Sequence, residues 1–585
     1  MSHRLVSGLV VATLAAIVLL PNLGGPPLWD EDEPRNAACS LAMLQSGDWV
    51  VPTFNGRLRV EKPALVNWIQ WAGFAAVGVG ETGARLGSAL LTLGTCLLTW
   101  RIGTLLFRPE VGVWAGVVLA TCLWTGVTGR AATPDAPLAF FTTLALWIFV
   151  RSLAGTGRLW NAPVRLPRIT ALAIGAACGL AVLTKGPVGL VLPLVAIGGF
   201  ALWQSAIDPG REGPVSSRLL PAAGAAWRGV RPLVIAAAAI AVAAPWYALV
   251  TIRTDGAWLR EFLLVHNVGR FAAPMEGHSG SAFLYYPFVI LVGFFPWSMA
   301  SGLVGRHAVV AARAQGPAAV GLRLVTAWVA AWVIPFSLAG TKLPGYVWPA
   351  YPAIACGIGL FLADWIARPT WSTDRWMRLA WSLLAAAGVG LGLGLPLAVH
   401  RLAPGGEWIG LVGLVPLAGG LLASRFQTHS SRLAASGCWA ATACGTVAIL
   451  MALGPVSLGR DGGTRHLLAR LPAAGIAHPI ASYRAPASTS FYAGLVAAGG
   501  TVAELDEPAE VVAFVTDHPG APLVVDARFE SQVAAELPAH YQVLRTVTVL
   551  PESRDLVLFG PTTHATEPPR RLATVPDLEP VPNLR

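Results

Sequence analysis

Charge is what this sequence has least of. Only 12% of its 585 residues are Asp, Glu, Lys or Arg, about half the share of an ordinary soluble domain, which excludes a single water-soluble globule. Lysine is nearly missing, with three among 41 basic residues, at Lys62, Lys185 and Lys342. The seven cysteines show no CxxC pair or metal spacing. Most lie in apolar runs, where cysteine serves as a small hydrophobe, so a disulfide framework and a cysteine-type zinc site are both excluded. No basic stripe with interleaved aromatics accompanies the net charge of +10, so nucleic acid is not the expected partner. No small-residue cleavage site follows the apolar run 5–20, which is therefore read as an uncleaved first span. What remains is hydrophobic residue, 55% of the chain, in segments that approach the ~20 apolar residues a bilayer crossing needs.

About thirteen spans are expected, near residues 5–21, 83–106, 111–128, 134–150, 169–184, 187–204, 233–250, 284–304, 324–339, 344–362, 379–398, 408–423 and 433–453. The loops between them alternate in character. One set holds Arg151, Arg158, Arg165 and Arg168, then Arg211, Arg218, Arg228 and Arg231, then Arg306, Arg313 and Arg323, then Arg368, Arg375 and Arg378. Arginine-rich loops with few acids stay in the cytoplasm. The opposite loops hold the Asp30–Glu33 run, Glu61, Asp135, Lys185, His266 and Lys342, which puts these residues together on the outer face. Segment 64–80 is apolar but carries Asn67, Trp68, Gln70 and Trp71. A crossing there would turn every later arginine loop outward, so it is read as an interfacial helix inside a long first outer loop, 21–82. Residues 1–455 thus form a membrane domain with the N-terminus inside. Residues 456–565 have near-normal polarity and strand-like runs such as Pro522 to Asp526, and read as an α/β domain on the outer side. The polar, proline-rich tail 566–585 reads as disordered.

Several outer-face residues carry chemistry. A compact ammonium suits phosphate binding, and all three lysines fall in outer loops, as Glu61-Lys62-Pro63, Thr184-Lys185-Gly186-Pro187 and Thr341-Lys342-Leu343-Pro344-Gly345-Tyr346. Their positions alone fit ammonium groups snorkelling at helix ends equally well. Four adjacent carboxylates, Asp30, Glu31, Asp32 and Glu33, can bind a divalent cation or raise one member's pKa for base catalysis, or form a solvated loop. Asp135 sits at the mouth of a span, where an ionisable group is a functional candidate and a helix cap in equal measure. In His266-Asn267-Val268-Gly269-Arg270-Phe271, Arg270 can clamp a phosphate bidentately. His266 reads as a hydrogen-bonded loop residue or as a metal ligand with Glu61.

Together these motifs resemble the bacterial polyprenyl-phosphate glycosyltransferases related to protein O-mannosyltransferases, with the aminoarabinose transferase that modifies lipid A as the nearest branch. Trp29-Asp30-Glu31-Asp32-Glu33-Pro34-Arg35-Asn36-Ala37 is similar to the family's W-D-x-D-E-x-R-Y-A box. Gly47-Asp48-Trp49, Asn55-Gly56, Glu61-Lys62-Pro63, Thr133-Pro134-Asp135, the Lys185 motif, the His266 motif and the Lys342 motif follow in family order. The likeness runs from about residue 28 to 356. Two departures concern the acceptor and the metal: Asn36 stands where the family often has tyrosine, and the His266 motif differs from the lipid A-modifying branch.

The resemblance implies a GT-C fold: a polytopic α-helical membrane protein with juxtamembrane helices in the first outer loop. By likeness, Asp32, Glu33 and Asp135 are the catalytic acids, and Lys62, Arg270, Tyr346, Lys342 and Lys185 surround the carrier phosphate. Arg35 and Asp30 face the acceptor. Glu61 and His266 look like a pair able to hold a divalent metal, zinc or magnesium or manganese. The implied activity is transfer of a sugar (aminoarabinose, mannose or similar) from a polyprenyl-phosphate carrier to lipid A or another glycan or lipid, at the outer face of a bacterial inner membrane. No second carboxylate is placed as a nucleophile, so inversion is expected. The alternatives are a protein O-glycosyltransferase and a transporter or flippase of lipid-linked sugars. A transporter would carry its charges within helices near the bilayer midplane, whereas here they crowd into outer loops.

Overall fold

The computed structural model describes residues 3–29, 32–154, 164–207, 215–269, 283–313, 316–402, 404–429, 431–458, 463–468, 479–496, 502–549 and 554–561. Asp30, Arg270 and the tail 566–585 lie outside the described residues. The chain divides into two compact units, Met1–Arg460 and Asp461–Arg585.

The first unit is helical. It begins with α1 (His3–Leu19), α2 (Asp32–Ser46), a small hairpin of β1 (Thr53–Phe54) and β2 (Arg57–Leu58), and α3 (Leu65–Val77). There follow α4 (Glu81–Leu106), α5 (Pro109–Thr121), α6 (Leu123–Thr128), α7 (Asp135–Ala154), α8 (Arg168–Lys185), α9 (Val188–Ala206), α10 (Val215–Val230), α11 (Pro232–Arg253) and α12 (Ala257–Leu263). The unit closes with α13 (Tyr285–Gly293), α14 (Ser301–Arg313), α15 (Pro317–Leu338), α16 (Tyr351–Ala367), α17 (Trp371–Leu402), α18 (Leu414–Thr428) and α19 (Arg432–Leu458).

The thirteen expected spans resolve into three kinds. Among the described residues ten helical segments are long and apolar enough to cross a membrane. The apolar helices at the first and third expected positions, Arg4–Leu19 and Pro109–Thr121, are shorter. The expected span 284–304 is sharply bent: Tyr285–Gly293 and Trp297–Arg313 meet at 115°. The break falls at Gly293-Phe294-Phe295-Pro296, where proline removes a backbone donor and glycine lowers helix propensity. The chain is a multi-pass membrane protein.

Segment 64–80 contains the 13-residue α3. At 1.5 Å per residue it is about 20 Å long, short of the ~30 Å hydrocarbon core. It packs tightly on α4: a Cβ on Gly73 would stand 2.0 Å from the Gly83 carbonyl oxygen, the small-residue contact that lets membrane helices approach. The hairpin turns on Asn55 and Gly56, at φ 50° and 75°, the left-handed pair that a two-residue turn demands. That turn sends the chain back so that the Arg59 amide donates to the Pro52 carbonyl at 2.9 Å. Indoles fix the loop from outside: Trp246 Nε1 donates to the Val50 carbonyl (3.0 Å) and Trp258 Nε1 to that of Arg59 (2.8 Å). Trp246, Trp258 and Phe262 share one core with Cys39, Met43 and Val60.

The second unit is α/β, as expected. Its elements are α20 (Gly463–Leu468), β3 (Ile480–Tyr483), α21 (Ala487–Val496), β4 (Val502–Leu505), α22 (Pro508–Asp517), β5 (Leu523–Asp526), α23 (Glu530–Glu536), β6 (Tyr541–Val549) and β7 (Arg554–Pro561). The strand order is β4-β3-β5-β7-β6. β3 runs parallel to β4 and β5, while β7 is antiparallel to β5 and β6. Every residue of β3 and β5 is buried, which is why they read as short runs without alternation.

Candidate active site

Asp32 and Glu33 open α2, where carboxylates oppose the positive end of the helix dipole. Their environments differ completely. Glu33 is buried and forked by Arg85: Nε donates to Oε1 at 2.9 Å and Nη2 to Oε2 at 2.6 Å. The Ala132 amide donates to Oε1 (2.7 Å) and the Trp29 amide to Oε2 (2.8 Å). Burial alone would push this carboxyl up, but Arg85 and the two amides hold it below its ordinary 4.5. The remaining Arg85 donors reach the carbonyls of Leu23, Pro26 and Pro27. Glu33 was expected among the catalytic acids; here both its oxygens are taken by donors of the loop around the site.

Asp32 stands in a cationic environment instead. Burial raises its pKa, yet the charges of Lys62, Arg59, Lys185 and Arg35 outweigh burial and hold it below the ordinary 3.8. It is a carboxylate in the electrostatic field of four cations. Arg59, which the sequence reading missed, is buried in the protein. Its Nη2 donates to Asn36 Oδ1 (2.6 Å), its Nη1 to the Arg35 carbonyl (3.2 Å), and its Nε lies 3.4 Å from Glu61 Oε2. The available signal was its place between Asn55-Gly56 and Glu61-Lys62, two motifs already singled out.

Asp135 and Lys185 form an ion pair between the first residue of α7 and the last of α8. Lys185 Nζ also lies 5.0 Å from the Tyr346 ring centroid, a cation–π contact. Two glycines make this possible. Gly186, at φ 85°, ends α8, and a Cβ there would stand 2.6 Å from Phe262. A Cβ on Gly345 would approach Asp135 Oδ2 to 3.0 Å, so the Thr341 to Tyr346 motif can close over the carboxylate.

A cavity of about 400 Å³ adjoins these groups. Glu61, Lys62, Lys185, His266, Asn267, Thr341 and Tyr346 form its polar wall. Leu138, Val188, Val191, Leu192, Val195, Phe262, Pro335, Phe336 and Ala339 form its apolar wall. His266 and Asn267 sit in a π-helical turn, Leu264–Gly269, that continues α12. Asn267 Nδ2 donates to the Phe262 carbonyl at 2.7 Å. Asp32 and Asp135 are outside the lining, and Asp135 meets it through its ion pair with Lys185.

Lys342, expected beside the carrier phosphate, sits at a helix end. It is 5% exposed, and its Nζ donates to the carbonyls of Ser337 (2.9 Å) and Ala339 (2.7 Å) at the C-terminal end of α15, satisfying carbonyls that a helix end leaves open. The metal pair fares differently. Glu61 and His266 line the same cavity, and burial of Glu61 is outweighed by Arg59, a backbone donor, Arg35 and His266, which lower its pKa from 4.5. Among the described residues no group of three His, Cys, Asp or Glu could hold a metal ion. With Arg59 already beside the Glu61 carboxylate, these residues do not fit a self-contained metal centre.

Residues 61–209 match the family described as dolichyl-phosphate-mannose-protein mannosyltransferase. Among curated relatives, an undecaprenyl phosphate-alpha-4-amino-4-deoxy-L-arabinose arabinosyl transferase 2 of Pseudomonas fluorescens is 30% identical over 474 residues, 79% of this chain and 77% of that protein. Proteins with the corresponding arabinosyl transferase name from Edwardsiella ictaluri and Erwinia tasmaniensis are 27% and 30% identical over 65% and 56% of this chain; the alignments span only 63% and 54% of those proteins. The crystal structure of ArnT from Cupriavidus metallidurans bound to undecaprenyl phosphate shares the fold, with a TM-score of 0.71 at 21% identity, covering 96% of this chain and 98% of that one. Motif order, fold and the extent of the Pseudomonas alignment agree: the chain belongs to the undecaprenyl-phosphate aminoarabinose arabinosyl transferase family, a GT-C branch related to the protein O-mannosyltransferases.

Proposed function

We propose that this protein transfers a sugar, aminoarabinose in the first instance, from a polyprenyl-phosphate carrier to a phosphate on lipid A or a similar glycolipid, at the periplasmic face of the inner membrane. The observation that carries the reading is Asp32 within the field of Lys62, Arg59, Lys185 and Arg35. Such a set of cations stabilises two phosphates, one leaving and one attacking.

The chemistry follows from these groups. The bond from the anomeric carbon to the carrier phosphate breaks, and its electron pair leaves with the phosphate. Lys62 and Lys185 on the cavity wall offset the charge that develops there, in a low-dielectric pocket where each is worth more than in water. Arg270, by its motif, adds a further cation. An acceptor phosphate oxygen attacks the anomeric carbon from the opposite face and inverts it. A phosphate acceptor needs no proton removed, which suits an Asp32 whose basicity is suppressed; Asp32 then orients the acceptor and balances the cations. A protein hydroxyl would demand a stronger base, so O-glycosylation of protein is the less favoured reading. The prenyl chain fits the apolar wall, where Val191 and Val195 are each half exposed on α9. No step runs through a metal; among the described residues, a divalent cation at Glu61 and His266 would find no third His, Cys, Asp or Glu ligand. The arginine-rich loops support a cytoplasmic N-terminus.

The test is sugar transfer by purified full-length protein from a synthetic short-prenyl phosphate-sugar to a lipid A acceptor and, in parallel, to a serine/threonine peptide. Transfer to lipid A lost in Asp32→Asn and Lys62→Met supports the reading. Transfer to peptide alone would move the assignment to the protein O-glycosyltransferases, and carrier movement across vesicles without transfer would make the protein a flippase.

A further inference from the structure

Helix α3 carries two residues that its apolar composition does not require, Asn67 and Gln70, both buried. Neither belongs to the cavity wall. They join a dry polar network instead. Gln70 Nε2 donates to the Ala132 carbonyl at 3.0 Å, and the same oxygen accepts from Asn36 Nδ2 at 3.0 Å. At the preceding peptide, the Ala132 amide donates to Glu33 (2.7 Å). Ser40 Oγ lies 2.5 Å from Gln70 Oε1 and accepts from Asn67 Nδ2 at 3.0 Å. The Ala132 carbonyl can only accept, so the Gln70 amide is fixed with its NH2 toward Ala132 and its oxygen toward Ser40.

Three side chains from two helices therefore grip Ala132, Glu33 at its amide and Asn36 and Gln70 at its carbonyl, in the peptide that leads into Thr133-Pro134-Asp135. The link onward is stiff. Proline locks its own φ and restricts the residue before it, and the Pro134 carbonyl already accepts from the Leu138 amide at 3.1 Å, in the first turn of α7. A shift of Ala132 is thus handed to Asp135, and through it to Lys185 on the cavity wall. We propose that Gln70 is a positioning residue: from the interfacial helix it sets, through Ala132, where the Asp135–Lys185 pair stands relative to Asp32. The inference rests on the transfer reading given above.

The test uses full-length protein in lipid nanodiscs with the short-prenyl donor, comparing Gln70→Met and Gln70→Glu with wild type. Gln70→Met keeps the length and removes both polar atoms. Its kcat falls about tenfold or more at every pH, with donor KM within about threefold, because a misplacement of order 1 Å costs up to ~10²-fold. Gln70→Glu shows a similar loss at pH 8 and recovers several-fold toward pH 5.5. The buried carboxyl protonates above its ordinary range, and its hydroxyl can then donate to Ala132; a generally loosened fold would not regain activity on acidification. Hydrogen exchange over residues 129–135 is faster in Gln70→Met while the remaining helices keep wild-type protection. A kcat within twofold of wild type in Gln70→Met overturns the proposal, as does a Gln70→Glu profile parallel to wild type. Should Gln70→Met not fold, the Gln70→Glu profile decides alone. Should wild type transfer no sugar at all, the transfer reading fails, and exchange at 129–135 still decides whether Gln70 holds the loop: unchanged exchange overturns it.

Discussion

Arg59 Nη2 donates to Asn36 Oδ1 at 2.6 Å, so the residue that departs from the family's box is the one that aims a buried guanidinium. Asn36 is fully buried, and it also holds the Ala132 carbonyl. Asn36→Ala leaves a buried charge short of an acceptor, which costs about 1–3 kcal/mol. A lower unfolding midpoint together with reduced kcat is expected. A variant with wild-type stability and turnover would mean that Arg59 finds another acceptor and that Asn36 is only a spacer.

The Glu33–Arg85 pair is the structural keystone of the outer loop, both side chains being under 10% exposed. Removing one partner of a buried pair costs about 3–5 kcal/mol, because the other is left uncompensated. Arg85→Met should therefore unfold the outer loop more readily than any cavity-wall substitution, read as the loss of protected amides near Trp29 and Ala132. The pH sign follows from the lowered Glu33 pKa. A depressed acid stabilises the fold above its unfolded value of about 4.3. That stability is lost as pH falls from there through the folded value, so wild type should weaken below about pH 4.5 and Glu33→Gln should show a shallower decline.

Which parts of this were legible from the residues alone follows from how local the signal was. The apolar helices and the sheet-bearing C-terminal unit are set by composition, and they could be read. Lys62 and Lys185 lie on the cavity wall. Lys342 could not be separated from them by motif: whether an ammonium meets a ligand or the carbonyls of Ser337 and Ala339 depends on where α15 ends. Glu33 and Asp32 are neighbours in sequence and opposite in role, because Arg85, fifty-two residues away, selects only one of them. Arg59 was invisible for the same reason: its function lies in Asn36 and Glu61 around it.

The distinction among the lysines is directly testable. Lys342→Met removes two hydrogen bonds from a charged donor at a helix end, worth about 1.5–3 kcal/mol each at most, and lowers the unfolding midpoint. Donor KM should stay within about threefold. Lys62→Met should do the reverse, with an unfolding midpoint close to wild type and turnover reduced by at least ~10²-fold, the scale seen when one charge-stabilising donor is removed from an active site. If Lys342→Met raises donor KM tenfold at unchanged stability, the lysine leaves its carbonyls to meet the carrier.

The pH profile of kcat/KM reports the ionisations of the free enzyme, and here it separates two roles for Asp32. Burial alone would raise its pKa, but the charges of Lys62, Arg59, Lys185 and Arg35 outweigh burial and hold it below 3.8. The ionised form is therefore complete above about pH 5, and wild type should show no acidic limb from Asp32 between pH 5 and 8. Removing a cation reverses part of that balance. Lys62→Met takes away the largest of the lowering charges, so the Asp32 pKa moves up, and an acidic limb absent from wild type should approach the measurable range. Asp32→Asn removes that limb in the Lys62→Met background, which assigns it. A wild-type limb near pH 6–7 that Asp32→Asn abolishes would instead make Asp32 a true proton acceptor, and a hydroxyl acceptor would then replace the phosphate.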